Sequence, residues 1–226
     1  MKTVPPLLLP FLLLALHGAA GAQPTAEREW MPYKKLVDTT RLGRFYALPA
    51  AERDKLDMFI QLQPSGPVDP RTVTLTALRD GTRTPLPLSA DGNLRLVPNP
   101  DWLTDDVSIV ANLPTTVDLA VTPAMNAVVP PGTSWPYAQL MGSVAQANAV
   151  MDKISGPFGM FAPTARSVLL KFDQPARLTI QSSTGTRQHA TDVKYQIRLL
   201  PDAALLAENP LTTVSTRPLA AELESD

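Results

Sequence analysis

Histidine is the commonest acid/base group and metal ligand near neutral pH, and the chain has only two, His17 and His189. His17 directly follows the apolar run at the amino terminus, within the segment that reads as a cleaved leader, which leaves His189 in Thr186-Arg187-Gln188-His189, a polar run that reads as a loop after Gly185. With one histidine and no cysteine, a zinc site or a Ser-His-Asp triad would have to be built around a single ring. Asp101, Asp105 and Asp106 cluster in Pro100–Asp106, and Asp202 and Glu208 keep an acidic trace of it later in the chain. Such oxygens suit calcium, and two separated carboxylates suit glycoside hydrolysis. The regular acidic spacing and central glycine of a calcium loop are missing, so the cluster reads as a solvated loop before a strand. Met141-Gly142-Ser143-Val144-Ala145 lacks the glycines of a nucleophile elbow, and Gly156-Pro157-Phe158-Gly159 is followed by no Lys-Ser/Thr, so neither a serine hydrolase nor a phosphate loop is indicated. The residues thus nominate no catalytic group, no metal ligand and no cofactor, and the expectation is a protein that is not an enzyme.

What remains is contact chemistry. Trp30 and Tyr33 stand in Trp-Met-Pro-Tyr, and Trp135 and Tyr137 in Trp-Pro-Tyr. These rings either form a binding platform or pack a helix onto its own sheet. Phe158, Met160 and Phe161 crowd a segment punctuated by glycine and proline, which either contacts a lipid or partner or folds down over a core.

The elements carrying these residues occur twice. From Trp30 to Gly81 is 51 residues and from Trp135 to Gly185 is 50; from Gly81 to Pro98 is 17 and from Gly185 to Pro201 is 16. Arg95-Leu96-Val97-Pro98 returns as Arg198-Leu199-Leu200-Pro201, and Pro114 with Leu119 returns as Pro218 with Leu223. Co-linear matches at a period of about a hundred residues mean a duplicated domain. Each copy opens with a short helix: Tyr137, Leu140, Met141, Val144, Ala147 and Met151 mark one helical face, and Tyr33, Leu36, Val37 and Thr40 begin the same spacing. Short β-branched runs follow at about ten-residue intervals, among them 58–62, 72–76, 107–111, 168–172, 178–181 and 193–199. Asp80-Gly81 and Asp91-Gly92 supply hairpin turns. The expected fold is mainly β, α+β in detail, as two tandem β-sandwich-like domains. Residues 1–22 are a signal peptide, 23–29 a flexible amino terminus, 30–122 the first copy, 123–134 a proline-rich linker and 135–226 the second copy, with a frayed tail from Pro218.

Lys2, the apolar run Val4–Leu16 and Ala20-x-Ala22 have the form of a secretory leader cut after Ala22. No other stretch approaches the roughly 20 apolar residues a membrane span requires. The absence of cysteine excludes lipoprotein anchoring, disulfides and thiolate chemistry. A net charge of -1 with dispersed cations favours neither nucleic acid nor anionic membranes as partners.

An entry helix, strands with an Asp-Gly (Thr-Gly in the second copy) hairpin and Leu-x-Leu-x-Pro (Ile-x-Leu-x-Pro in the second copy) resemble periplasmic proteins of Gram-negative bacteria in a domain-of-unknown-function family. That resemblance implies a periplasmic location and no site residues. The strand count is similar to that of immunoglobulin-like sandwiches, without their Cys-Trp-Cys hallmark. The functional expectation is a periplasmic binding or adaptor protein that engages an envelope protein. The alternatives are a carrier of a lipid or other apolar ligand, and a carboxylate-dependent glycan hydrolase.

Overall fold

The computed structural model describes residues 27–103, 106–156 and 163–225. The leader, its cleavage site, Asp105, Phe158, Met160 and Phe161 lie outside the described residues. The first half contains β1 (Arg28–Pro32), α1 (Tyr33–Thr40), α2 (Leu42–Ala47), β2 (Leu56–Pro64), β3 (Leu75–Arg79), β4 (Thr82–Pro85), β5 (Asn93–Leu94), β6 (Ser108–Ala111) and β7 (Leu119–Ala127). The second contains β8 (Ser134–Pro136), α3 (Tyr137–Ser155), β9 (Ala165–Lys171), β10 (Arg177–Ser182), β11 (Gly185–Ala190), β12 (Gln196–Leu199), α4 (Ala203–Glu208), β13 (Leu211–Val214) and β14 (Ala220–Ser225). The molecule is mainly β, and its halves repeat one topology. Sheet order β1-β6-β3-β4 in the first half becomes β8-β13-β10-β11 in the second, and β5-β2-β7 becomes β12-β9-β14.

The two three-strand sets join through β7 and β14 into one six-stranded antiparallel sheet. Each four-stranded sheet packs on its own end of that sheet. In the first half Ile60, Leu62, Leu75 and Ile109 meet in one core; in the second Val168, Leu170, Leu178 and Ile180 do. Pro123–Ala127, expected as linker, belong to β7, which pairs with β2 over its whole length. A strand has no reason to stop at a proline whose missing N–H faces away from its paired neighbour. The tail expected to fray is β14, laddered to β9 from Ala220 to Ser225.

Strand register corrects the sequence alignment in detail. Both β3–β4 and β10–β11 are closed by two-residue turns, Arg79 opposite Thr82 and Ser182 opposite Gly185. Gly81 is therefore the second turn residue, whereas Gly185 is one position further, the first residue of the returning arm. Pro32-Tyr33 and Pro136-Tyr137 begin the two helices alike, so Trp135 corresponds to Met31 and Trp30 lies one residue earlier. Pro114-Leu119 and Pro218-Leu223 are not equivalent. Leu62 N donates to Gly92 O at 2.8 Å and Phe172 N to Tyr195 O at 3.0 Å, which aligns β2 with β9 and, through their ladders, sets Leu223 beside Met125 instead of Leu119.

Arg-Leu-x-Pro has a structural reason to recur. Leu96 and Leu199 are buried. Arg95 lies over the Phe59 ring at 5.1 Å and bonds Asp57 at 2.9 Å, while Arg198 bonds Glu224 at 2.8 Å. Burial alone would raise the Glu224 carboxyl, but bonds from Arg198 and Ser167 outweigh it and hold it below its ordinary value. After each proline, Asn99 or Asp202 caps the next turn. The backbone N–H of Asn99 donates to the Tyr33 hydroxyl at 2.9 Å, and that of Asp202 to Tyr137 at 3.3 Å. Burial pushes both phenols above their usual pKa despite those bonds.

The helices break the symmetry. α1 ends at Arg41, in left-handed backbone at φ 60°, and α2 starts a new direction; α3 runs unbroken for 19 residues. Tyr137, Leu140, Met141 and Val144 of α3 enter the second core, whereas Ala147, Val150 and Ile154 enter the first. Because the far end of the helix serves a different core, its buried stripe rotates to Val150 and Ile154, and Met151 is half-buried. Arg44 of α2 donates to Ile154 O at 3.0 Å, placing a cation at the negative end of the α3 dipole. Gln146 accepts from Lys55 N at 2.8 Å and donates to Asp54 at 2.8 Å, which lowers the Asp54 carboxyl.

Candidate functional site

The seam between the halves carries an open groove. β7 and β14 are equivalent strands running antiparallel, and they pair at one position, Asn126 opposite Glu222. Met125 and Leu223 flank that pair and correspond to each other, so the halves are related by a pseudo-two-fold passing between them. A sheet joined at one pair opens on either side of it. The opening is an exposed groove of about 840 Å³, within the usual range for ligand sites.

The groove has two walls of different character. Toward α3, Met125, Leu223, Met151 and Ile154 are apolar, and two of these four are methionines, side chains that adapt to irregular partners. Toward the outer sheet face, Gln61, Asn126, Arg95 and Glu222 are polar. Their charges are already matched: Lys171 donates to Glu222 at 2.6 Å and Arg95 to Asp57 at 2.9 Å. Asp91, also on the groove, is held below its ordinary pKa, first by a hydrogen bond from Ser89. Glycoside hydrolysis needs a carboxyl whose pKa is raised so that it arrives protonated. Each described carboxylate with a resolved shift is moved the other way.

The described residues among those singled out from the sequence do not converge here. Tyr33, Trp135 and Tyr137 are 0%, 2% and 3% exposed. They are core side chains, Tyr33 in the first core and Trp135 and Tyr137 in the second, and cannot form a platform; Trp30 is half-buried on β1 beside the first core. His189 stands on β11, not in a loop, opposite Leu178. Asp101 lies in a single turn, Pro100–Trp102, and Asp106 faces Arg79 at 4.0 Å. Ser143 is buried within α3 with no hydrogen-bond partner, unlike a nucleophile exposed on a strand-to-helix turn. Among the described residues no group of three or more His, Cys, Asp or Glu is placed to hold a metal, and no helix is long and apolar enough to cross a membrane.

Sequence reasoning missed Met125, Asn126, Glu222 and Leu223 because the groove arises from pairing between strands nearly a hundred residues apart. The repeat itself was the available signal, since equivalent strands of a duplicated sheet can pair across a two-fold. No family model, curated protein or solved structure matches the chain.

Proposed function

We propose that this is an exported, non-enzymatic binding protein of the cell envelope that holds an extended segment of a protein partner in the seam groove. The observation that carries the reading is an open groove with one apolar, methionine-bearing wall and one polar, charge-matched wall. An extended polypeptide offers apolar side chains on one face and polar groups on the other, and so suits both walls. An acyl chain would be served better by an enclosed apolar pocket, so carriage of a lipid is the weaker reading.

A photo-reactive amino acid at Met151, inside the groove, is expected to give one discrete protein adduct in intact cells. The same substitution at Asp80, on the distant β3–β4 turn, is expected to give none. Lipid adducts at Met151 would replace this reading with apolar-ligand carriage, and equal labelling at the two positions would remove the groove as the site. The export component rests on Lys2, Val4–Leu16 and Ala20-x-Ala22. Intact mass of the exported protein is expected to correspond to a chain beginning at Gln23; a chain beginning at Met1 would overturn it.

A further inference from the structure

The two halves treat one sheet edge in opposite ways. In the first half Leu86 N donates to Leu75 O at 2.9 Å, so ladder alternation turns the backbone of Arg83, Pro85 and Pro87 outward, away from β3. Two of these three outward positions are prolines, which have no N–H to offer, and Arg83 is ion-paired with Glu27. Prolines and charges are the usual means of keeping an edge from pairing with another chain. In the second half Thr191 N donates to Ala176 O at 3.0 Å, so the outward positions are Thr186, Gln188 and Ala190. Counted from the two turns, Gln188 stands where Pro85 does and Ala190 where Pro87 does. β11 is laddered to β10 from Gly185 to Ala190 and is exposed apart from half-buried His189. Among the described residues nothing pairs with its other edge.

We propose that β11 pairs antiparallel with β11 of a second copy of this chain, about a two-fold axis at Gln188. Gln188 then faces Gln188 of the other copy, and Thr186 faces Ala190, giving three hydrogen-bonded pairs. Between them Arg187 faces His189. Arg187 is ion-paired with Asp202 at 2.8 Å, and moving the axis to Arg187 or to His189 would leave two outward pairs in place of three, so pairing selects the register at Gln188. The flanking side chains are polar, with no apolar pocket to anchor a flexible peptide, whereas a second β11 arrives already extended and needs little ordering. The two four-stranded sheets become one of eight strands, within the range of open sheets, through an isologous interface. This inference is independent of the groove.

Sedimentation equilibrium of the chain from Gln23 is expected to show a monomer–dimer equilibrium. Gln188→Pro with Ala190→Pro, which copies the first half, removes four of the six backbone bonds and is expected to weaken dimerisation on the order of a hundredfold with unchanged circular dichroism. The chain has no cysteine, so a second readout is unambiguous. Gln188→Cys is expected to form a disulfide-linked dimer on oxidation, because opposed hydrogen-bonded residues have Cα atoms about 5.5 Å apart, while Thr186→Cys alone is not. Should the proline variant fail to fold, the cysteine variants decide. A wild-type monomer at all concentrations, or disulfide formation no faster at Gln188→Cys than at Thr186→Cys, overturns the proposal.

Discussion

Truncated after Thr133, the first half is expected not to fold. Its core is closed by Ala147, Val150 and Ile154, three side chains contributed by a helix that belongs to the other half. Fully burying a valine or isoleucine is worth about 1.5–3 kcal/mol. The fragment would lose roughly 4–6 kcal/mol with these residues, against a total stability of about 5–15 kcal/mol for a domain. It would also expose the apolar inner faces of β2 and β7. Poor amide dispersion in its NMR spectrum is the expected result, with dispersion restored by adding residues 134–225. In the full chain, Val150→Asp should destabilise by more than about 4 kcal/mol, since it buries a carboxylate at a site 1% exposed. Its unfolding should remain a single transition. A truncated first half with a native-like spectrum and midpoint would show that α3 does not complete its core.

Gly92→Ala is expected to be among the most damaging single-methyl additions in the protein, and Gly81→Ala among the mildest at a strained position. Both glycines have left-handed backbone, φ 79° and 76°, so each substitution incurs about 1–2 kcal/mol from that conformation. They differ in surroundings. A Cβ on Gly92 would lie 2.6 Å from the Leu62 carbonyl oxygen, on a strand that cannot move without disturbing the core, whereas a Cβ on Gly81 would meet nothing within 4 Å. Overpacking adds about 1–3 kcal/mol, so denaturant midpoints are expected to correspond to a loss of roughly 2–5 kcal/mol for Gly92→Ala and about 1–2 kcal/mol for Gly81→Ala. Equal losses would mean that the β2 backbone yields at Leu62. The second half places Tyr195, φ 58°, at the position of Gly92, so the left-handed turn belongs to the topology even where glycine does not.

The amino-acid sequence by itself determined the β-rich class, the twofold repetition of helix and strands, and the β3–β4 hairpin at Asp80-Gly81, while the turn at Asp91-Gly92 is closed by a single bridge, Leu88 to Leu94. These follow from local physics: alternation of apolar residues, positive φ at Asp-Gly, and recurrence of Tyr and Arg-Leu-x-Pro, whose repeated roles turned out to be accepting a hydrogen bond from a backbone N–H and, for the arginine, pairing with a carboxylate of the same sheet. Strand β11 was hidden because Gly-Thr-Arg-Gln-His-Ala has no apolar alternation; what makes it a strand is its ladder to β10. Tyr33, Trp135 and Tyr137 offered no site, because composition does not distinguish a ring presented to a partner from one sealed in a core, and these three are sealed. Only the tertiary structure decided that the halves share one sheet, that α3 crosses from one core to the other, and that a groove opens beside Asn126 and Glu222. Each of those depends on residues far apart in the chain finding a common register. No local propensity encodes that register, which is selected when burying the inner faces of both halves satisfies all the ladders at once.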